Sequence, residues 1–65
     1  MKLKDCLEIG RDCGLKTVGE AITNIELNSS SLFAYSEIKN ELNELYEATK
    51  DISYDTTIGE ILNEN

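Results

Sequence analysis

The sequence contains no histidine, no proline and no tryptophan, and it has only two cysteines among its 65 residues. Without histidine, the chain lacks the commonest general acid–base group and the commonest metal ligand. No apolar run approaches the roughly 18 residues that a membrane-spanning helix needs. Charged residues interrupt the N-terminal segment, so no secretory signal is predicted either. We therefore expect a cytoplasmic protein with no His-based catalysis, no cofactor and no membrane association.

The two cysteines, Cys6 and Cys13, lie seven positions apart. On a helix this spacing corresponds to about 10.5 Å of rise, which exceeds the about 7 Å that a disulfide allows between Cα atoms. The spacing also differs from the C-x-x-C of zinc and redox sites. We expect both to be buried thiols that act as small apolar side chains. An intersubunit disulfide or a four-cysteine metal site is the alternative, and either would require an oligomer.

The composition is that of a single small globular domain. Leu, Ile, Val and Phe account for 17 of the 65 residues, which is more than the roughly 20% below which disorder is the default. A chain this short accommodates one domain at most and lies near the lower size limit for folding without a metal or disulfides. One helical domain covering residues 1–65 is predicted.

Apolar residues recur at steps of three and four, which is typical of helices, and almost no strand pattern occurs. The first predicted helix runs from about Lys2 to Cys13. Gly10 lies in the middle of its apolar face, where the close approach of another helix would compensate for the cost of a glycine. Gly14 suits the left-handed position that follows a helix.

Two further helix starts carry the same capping motif. Thr17 with Glu20, and Thr57 with Glu60, match the S/T-x-x-E capping box. They begin the second predicted helix and a short last helix. The surrounding hexapeptides, T-V-G-E-A-I and T-I-G-E-I-L, resemble each other, and we interpret this as two helix starts that use the same capping chemistry.

The third predicted helix has the most regular apolar pattern. The second helix should end near Asn28, and the polar residues 28–31 are the best candidate for a linker. The third helix then begins at about Ser36 as its cap, or as early as Ser31, and ends at about Asp51 or Ile52. An a/d heptad pattern is formed by Tyr35, Ile38, Leu42, Leu45, Thr49 and Ile52.

The sequence therefore predicts an all-α fold, a small bundle of three helices plus a short C-terminal helix. For so small a core, the free energy gained by burying apolar surface is roughly offset by the conformational entropy that the chain loses on folding. Part of the heptad pattern is thus expected to be buried by a second copy, and a homodimer is predicted. The predicted core contains Leu3, Leu7, Val18, Ile22, Ile25, Ile38, Leu42 and Leu45.

Negative charge is concentrated in one part of the chain. Residues 1–16 have a net charge of +1 and residues 17–65 a net charge of −8, which gives −7 in total. At about 100° per residue, the carboxylates of the third helix occupy an arc opposite its apolar residues. Like charges at i, i+4 cost a few tenths of a kcal/mol per pair, so stability alone would favour mixed signs. We call this set the acidic stripe: Glu37, Glu41, Glu44, Glu47 and Asp51.

The acidic stripe has two interpretations. It is either a solvated face that keeps the protein soluble, or a surface that docks on a basic partner. The second interpretation predicts a non-enzymatic inhibitor or adaptor that binds a larger protein, one that handles nucleic acid or acts in defence, as a nucleic-acid mimic. Tyr46 and Tyr54 are candidate aromatic anchors near the stripe. In size and charge the chain resembles the small inhibitors of bacteriophages and mobile elements.

An enzyme is not predicted. The four glycines form neither a phosphate-binding loop nor a nucleophile elbow. Asp51, Ser53 and Asp55 match the first positions of a calcium loop, but Thr56 and Leu62 stand where such a loop requires Gly and Glu. No metal site follows, and a 65-residue helical chain has little volume for a catalytic pocket.

Two other functions are alternatives. A helix, a glycine turn and a helix within residues 3–26 suggest a helix-turn-helix DNA-binding regulator. Its second helix would present Glu20, Thr23 and Glu26 without any basic residue, which disfavours direct nucleic-acid binding. The other alternative is a structural oligomer that assembles through the heptad pattern.

Overall fold

The computed structural model describes residues 1–32 and 35–63, and, within these ranges, the side chains other than those of 29–32, 35, 36 and 38. Over this part of the chain there is no strand, and the predicted all-α bundle with a short last helix is confirmed. The helices are α1 (Leu3–Asp12), α2 (Val18–Leu32), α3 (Tyr35–Thr49) and α4 (Ile58–Leu62).

A left-handed glycine ends α1, as predicted. Gly14 has φ +81°, a left-handed conformation that a residue without Cβ adopts most readily. The amide of Leu15 donates to the carbonyl of Gly10 at 2.9 Å, and the amide of Gly14 donates to that of Arg11 at 3.0 Å. These two bonds form a Schellman motif, which satisfies the last carbonyls of α1 and turns the chain towards α2.

The close helix approach predicted at Gly10 is confirmed. A Cβ atom built on Gly10 would lie 2.9 Å from Cβ of Ala21 in α2 and 3.2 Å from Cδ1 of Ile58 in α4. Real Cβ atoms pack at larger separations, so this contact requires glycine. It places α1 against both α2 and α4, at the centre of the molecule.

The capping box is complete at the start of α4 and only half formed at the start of α2. The amide of Glu60 donates to Oγ1 of Thr57, and the amide of Thr57 donates to Oε2 of Glu60, both at 3.2 Å. At Thr17, Oγ1 accepts from the amide of Glu20, whose carboxylate then accepts from the same hydroxyl. Each threonine therefore satisfies one amide of the first helical turn.

The two similar helix starts lie antiparallel beside each other and form an isolated β-bridge. The amide of Val18 donates to the carbonyl of Thr56 at 2.9 Å, and the amide of Ile58 donates to that of Lys16 at 2.8 Å. Each segment therefore donates one amide to the other and accepts one at a carbonyl, at corresponding positions. The bridge fixes the first turn of α4 against the first turn of α2.

The predicted linker is wrong, because residues 28–31 lie inside α2. Serine and asparagine are only mildly unfavourable within a helix, so tertiary context easily overrides their preference for turns. The side chain of Asn28 supports the helix by donating to the carbonyl of Asn24 at 2.7 Å. The polar composition of this segment thus did not indicate a break in the helix.

The bounds of α3 also differ from the prediction. Ser36 is the second residue of the helix rather than its cap, because α3 begins at Tyr35. The connection between α2 and α3, residues 33 and 34, lies outside the described residues. At the other end α3 stops at Thr49, and the amide of Ile52 donates back to the carbonyl of Thr49 at 3.0 Å.

The core is formed by all four helices. It includes Cys6, whose burial was predicted, and also Ala21 and Ile58, which were not among the predicted core residues. Two predicted core residues, Leu3 and Leu42, are half-buried and pack against its edge, and the side chain of Ile38 lies outside the described residues. Buried as predicted are Leu7, Val18, Ile22, Ile25 and Leu45.

The C-terminal half of the heptad pattern is used within this chain. Leu45 and Thr49 are buried, and Leu42 and Ile52 pack against the same core. The hydroxyl of Thr49 donates to the carbonyl of Leu45 at 2.9 Å, which satisfies this polar group within the core. These four residues of the heptad pattern are thus engaged within the chain, and the homodimer stays a prediction.

Only one of the two cysteines is buried. Burial raises the pKa of the Cys6 thiol to about 11, although the N-terminal ammonium lowers it slightly. Cys6 is therefore protonated at neutral pH and acts as an apolar side chain. The prediction of burial is wrong for Cys13, which follows the last residue of α1 and is exposed. The two do not form a disulfide.

Candidate functional site

The acidic stripe lies along one flank of α3, outside the core. Glu37, Glu44 and Glu47 are exposed, as is Asp51 just beyond the end of the helix, whereas Glu41 is half-buried. At 1.5 Å of rise per residue, the four glutamates span about 15 Å along the helix. The structure thus brings the predicted carboxylates together on one elongated surface.

The chain itself provides some positive charge beside the stripe. The N-terminal ammonium of Met1 pairs with Glu41, and it also lies 3.1 Å from Oε2 of Glu44. Nζ of Lys50 lies 3.7 Å from Oε2 of Glu47. The Lys50–Glu47 pair is exposed and contributes little to stability, because water and salt screen it, whereas Met1 and Glu41 are half-buried. These ion pairs leave most of the stripe accessible to a partner.

Tyr46 lies on the other side of α3. It is about 160° around the helix from Glu44, and its hydroxyl donates to Oε2 of Glu26 in α2 at 2.7 Å. The proposed grouping of Tyr46 with the stripe is therefore corrected. This tyrosine instead joins α3 to α2.

The hydroxyl of Tyr46 should titrate above its ordinary range. Its hydrogen bond to Glu26 raises the pKa, and partial burial and the charge of Glu26 add to the effect. The folded-state pKa exceeds the unfolded one, so the hydrogen bond stabilises the protein at neutral pH and is lost as the pH rises through the folded-state pKa. We expect ultraviolet absorbance titration of wild-type protein to show one tyrosine with a raised pKa.

Glu26→Gln is expected to lower that pKa, because it removes the negative charge. The same titration of Glu44→Gln provides the control, since Glu44 lies about 160° around α3 from Tyr46. If Glu26→Gln leaves the tyrosine titration unchanged, the contact between Tyr46 and Glu26 is absent in solution.

A second surface feature is an open groove of about 530 Å³ beside α2, which we call the α2 groove. Two large apolar side chains stand exposed there: Leu27 is 76% exposed and Tyr54 is 46% exposed. Tyr54 thus lines this groove, between α3 and α4 in the sequence. The groove is lined by Leu15, Thr17, Gly19, Glu20, Thr23, Asn24, Leu27, Tyr54 and Asp55.

A glycine contact holds the two walls of the α2 groove together. The amide of Gly19 donates to the carbonyl of Tyr54 at 3.0 Å. A Cβ atom on Gly19 would lie 3.1 Å from Cβ of Tyr54 and 3.2 Å from its carbonyl oxygen. Next to it, the amide of Asp55 donates to Oγ of Ser53 at 3.2 Å. The segment before α4 is thereby fixed on the first turn of α2.

The α2 groove was not predicted, because its two walls are distant from each other in the sequence. Thr17 to Leu27 provide one wall, and Tyr54 and Asp55 provide the other. One signal was present: Leu27 lies off the apolar face formed by Val18, Ala21, Ile22 and Ile25, at about 100° per residue. A single exposed apolar residue is common on protein surfaces, and Leu27 becomes a candidate contact only because it lines the groove.

Metal-binding clusters and membrane-spanning helices are absent from the described residues. Within residues 1–32 and 35–63, no group of three or more Cys, Asp or Glu side chains is placed to hold a metal ion. None of the helices in this part of the chain is long and apolar enough to cross a membrane. No protein-family model, curated protein or solved structure matches the chain.

The helix-turn-helix alternative gains no support from the geometry. α2 contains no lysine or arginine, and its exposed side chains include Glu20, Thr23 and Glu26. In the position of a recognition helix, α2 would bring carboxylates towards the phosphates of DNA.

Proposed function

We propose that this protein is a non-enzymatic interaction protein that docks its acidic stripe on a basic surface of a larger protein. The observation that carries the proposal is the separation of charge on α3. Carboxylates occupy one flank, although like charges such as those of Glu37 and Glu41 are unfavourable at i, i+4. The core does not need these side chains, since they lie outside it.

The spacing of the stripe suits a partner that binds nucleic acid. Successive carboxylates at i, i+3 and i, i+4 stand about 5–6 Å apart at Cβ, on a rigid helix. Such a row presents repeated negative charge to a groove lined by lysine and arginine, as phosphates do. A small protein in this groove would block it, which agrees with an inhibitor of the kind that bacteriophages and mobile elements encode. An adaptor is the alternative role of the same contact.

Reversing two charges of the stripe should abolish most partner binding. We expect Glu44→Lys with Glu47→Lys to weaken binding at low salt by at least about tenfold, because each reversal replaces an attraction with a repulsion. The tagged full-length chain and its variants are expressed in the cells that produce it, and retained proteins are compared by quantitative mass spectrometry. The affinity of the retained partner is then measured at several salt concentrations.

The matched control is Glu8→Lys with Asp12→Lys in α1. It changes the net charge by the same amount, and Glu8, like Glu47, pairs with a lysine three or four positions away. We expect this control to bind like the wild type. If the wild type and the control retain no protein better than the stripe variant does, the stripe is not the contact surface.

A further inference from the structure

We propose that the α2 groove binds a segment of a partner protein in which an apolar side chain is flanked by lysine or arginine. This inference goes beyond the proposed function. The lining of the groove includes none of the five residues of the acidic stripe. The two surfaces can therefore be tested separately.

The apolar part of the segment is indicated by Leu27 and Tyr54. Single exposed apolar residues are common on protein surfaces and need no explanation. Here, however, two of them line one concave surface together with the half-buried Leu15. An aliphatic or aromatic side chain seated there would remove apolar surface from water on several sides. A tyrosine also contributes a large contact area with few torsions to fix.

The charge of the groove indicates basic flanking residues. Glu20 and Asp55 are both exposed, and the lining of the groove contains no lysine or arginine. A segment with one base beside its apolar residue would pair with these carboxylates, which fixes its register. A second copy of the chain fits less well, because it would bring a net charge of −7 to an acidic groove.

The walls of the groove are formed before any partner binds. α2 provides one wall, and the contact between Gly19 and Tyr54 fixes the other. The β-bridge between Thr17 and Thr57 holds both segments beside each other. A preformed groove loses little conformational entropy on binding, so a short segment can bind with measurable affinity.

A displayed library of random linear peptides provides the probe. The library is selected on the immobilised full-length wild-type chain, and enriched peptides are synthesised and measured by fluorescence anisotropy. We expect enrichment of lysine or arginine next to Leu, Ile, Phe or Trp. We expect Leu27→Ala to weaken binding by about tenfold or more. Circular dichroism of this variant should match the wild type, because Leu27 is mostly exposed.

Charge is tested by Glu20→Gln with Asp55→Asn, which keeps the shape of both side chains. We expect these changes to weaken peptide binding about fivefold at low salt and to reduce its salt dependence. The matched control, Glu8→Gln with Asp12→Asn, changes the net charge equally and should bind within about twofold of the wild type. The stripe variant Glu44→Lys with Glu47→Lys should also bind the peptides within about twofold.

Several results would overturn the inference. It fails if selection yields no binders, or peptides without basic residues, or peptides that bind Leu27→Ala as tightly as the wild type. It also fails if light scattering shows a dimer for the wild type and a 7.3 kDa monomer for Leu27→Ala, because a second copy then occupies the groove. Peptides that lose affinity for the stripe variant alone would refute the groove and support the stripe. Failure of the stripe experiment with success here would refute only the proposed function.

Discussion

Replacing Gly10 with leucine is expected to destabilise the protein by about 2–4 kcal/mol. The first added atom would already lie 2.9 Å from Cβ of Ala21, and Ile58 blocks the space beside it. Leucine favours helix over glycine by about 1 kcal/mol, but overpacking at this contact forces α1 away from two helices at once. A chain of this size has a total stability of only about 3–10 kcal/mol. Urea denaturation followed by circular dichroism measures the loss.

A methyl swap provides the control for this contact. Gly10→Ala combined with Ala21→Gly moves one methyl group from α2 to α1 and keeps the number of atoms between the helices. We expect the free energy of unfolding of the double variant to lie within about 1 kcal/mol of the wild-type value. The helix propensity that α1 gains is offset by the propensity that α2 loses. If Gly10→Leu is as stable as the wild type, the close approach of the helices at Gly10 is absent.

Leu45→Ala is expected to cost about 2–5 kcal/mol, because it leaves a cavity in the core. Leu45 is fully buried in α3 and belongs to the cluster that all four helices share. The loss of so large a fraction of the total stability would leave a considerable population unfolded without denaturant. Urea denaturation measures the change in free energy, and the slope of the transition reports whether the folded state stays compact.

Leu27→Ala is the matched control, since it removes the same atoms from a helix. Leu27 is mostly exposed, so its truncation should change the free energy of unfolding by no more than about 0.5 kcal/mol. Similar losses for Leu27→Ala and Leu45→Ala would contradict the burial described for α3. The control also establishes that Leu27→Ala is suited to binding experiments on the α2 groove.

The sequence predicted the features that depend on local chemistry. Capping at Thr57 follows from hydrogen bonds within one turn, and the left-handed Gly14 from the absence of Cβ. The close approach at Gly10 was predicted because a glycine in the middle of an apolar helix face needs a packing reason. The five carboxylates were placed on one surface by helical periodicity alone, and their role in binding stays a prediction.

Other features that depend on tertiary contacts were missed. Nothing local distinguishes residues 28–31, which are helical, from a linker, because packing elsewhere decides whether weak helix formers stay in a helix. The position of Tyr46 beside Glu26 depends on the side of α3 that faces α2. The α2 groove joins segments from two distant parts of the sequence, so no single window of residues could have predicted it.

The β-bridge joins Thr17 and Thr57, which are 40 positions apart in the chain. A loop of this length must close before Ile58 can pack against Gly10, and closure has an entropic cost that no local contact offsets in advance. Helical bundles dominated by local contacts fold within microseconds to milliseconds. In this chain we therefore expect the final ordering of the core to wait for a distant segment to arrive, so that the rate of that encounter contributes to how fast the native state forms.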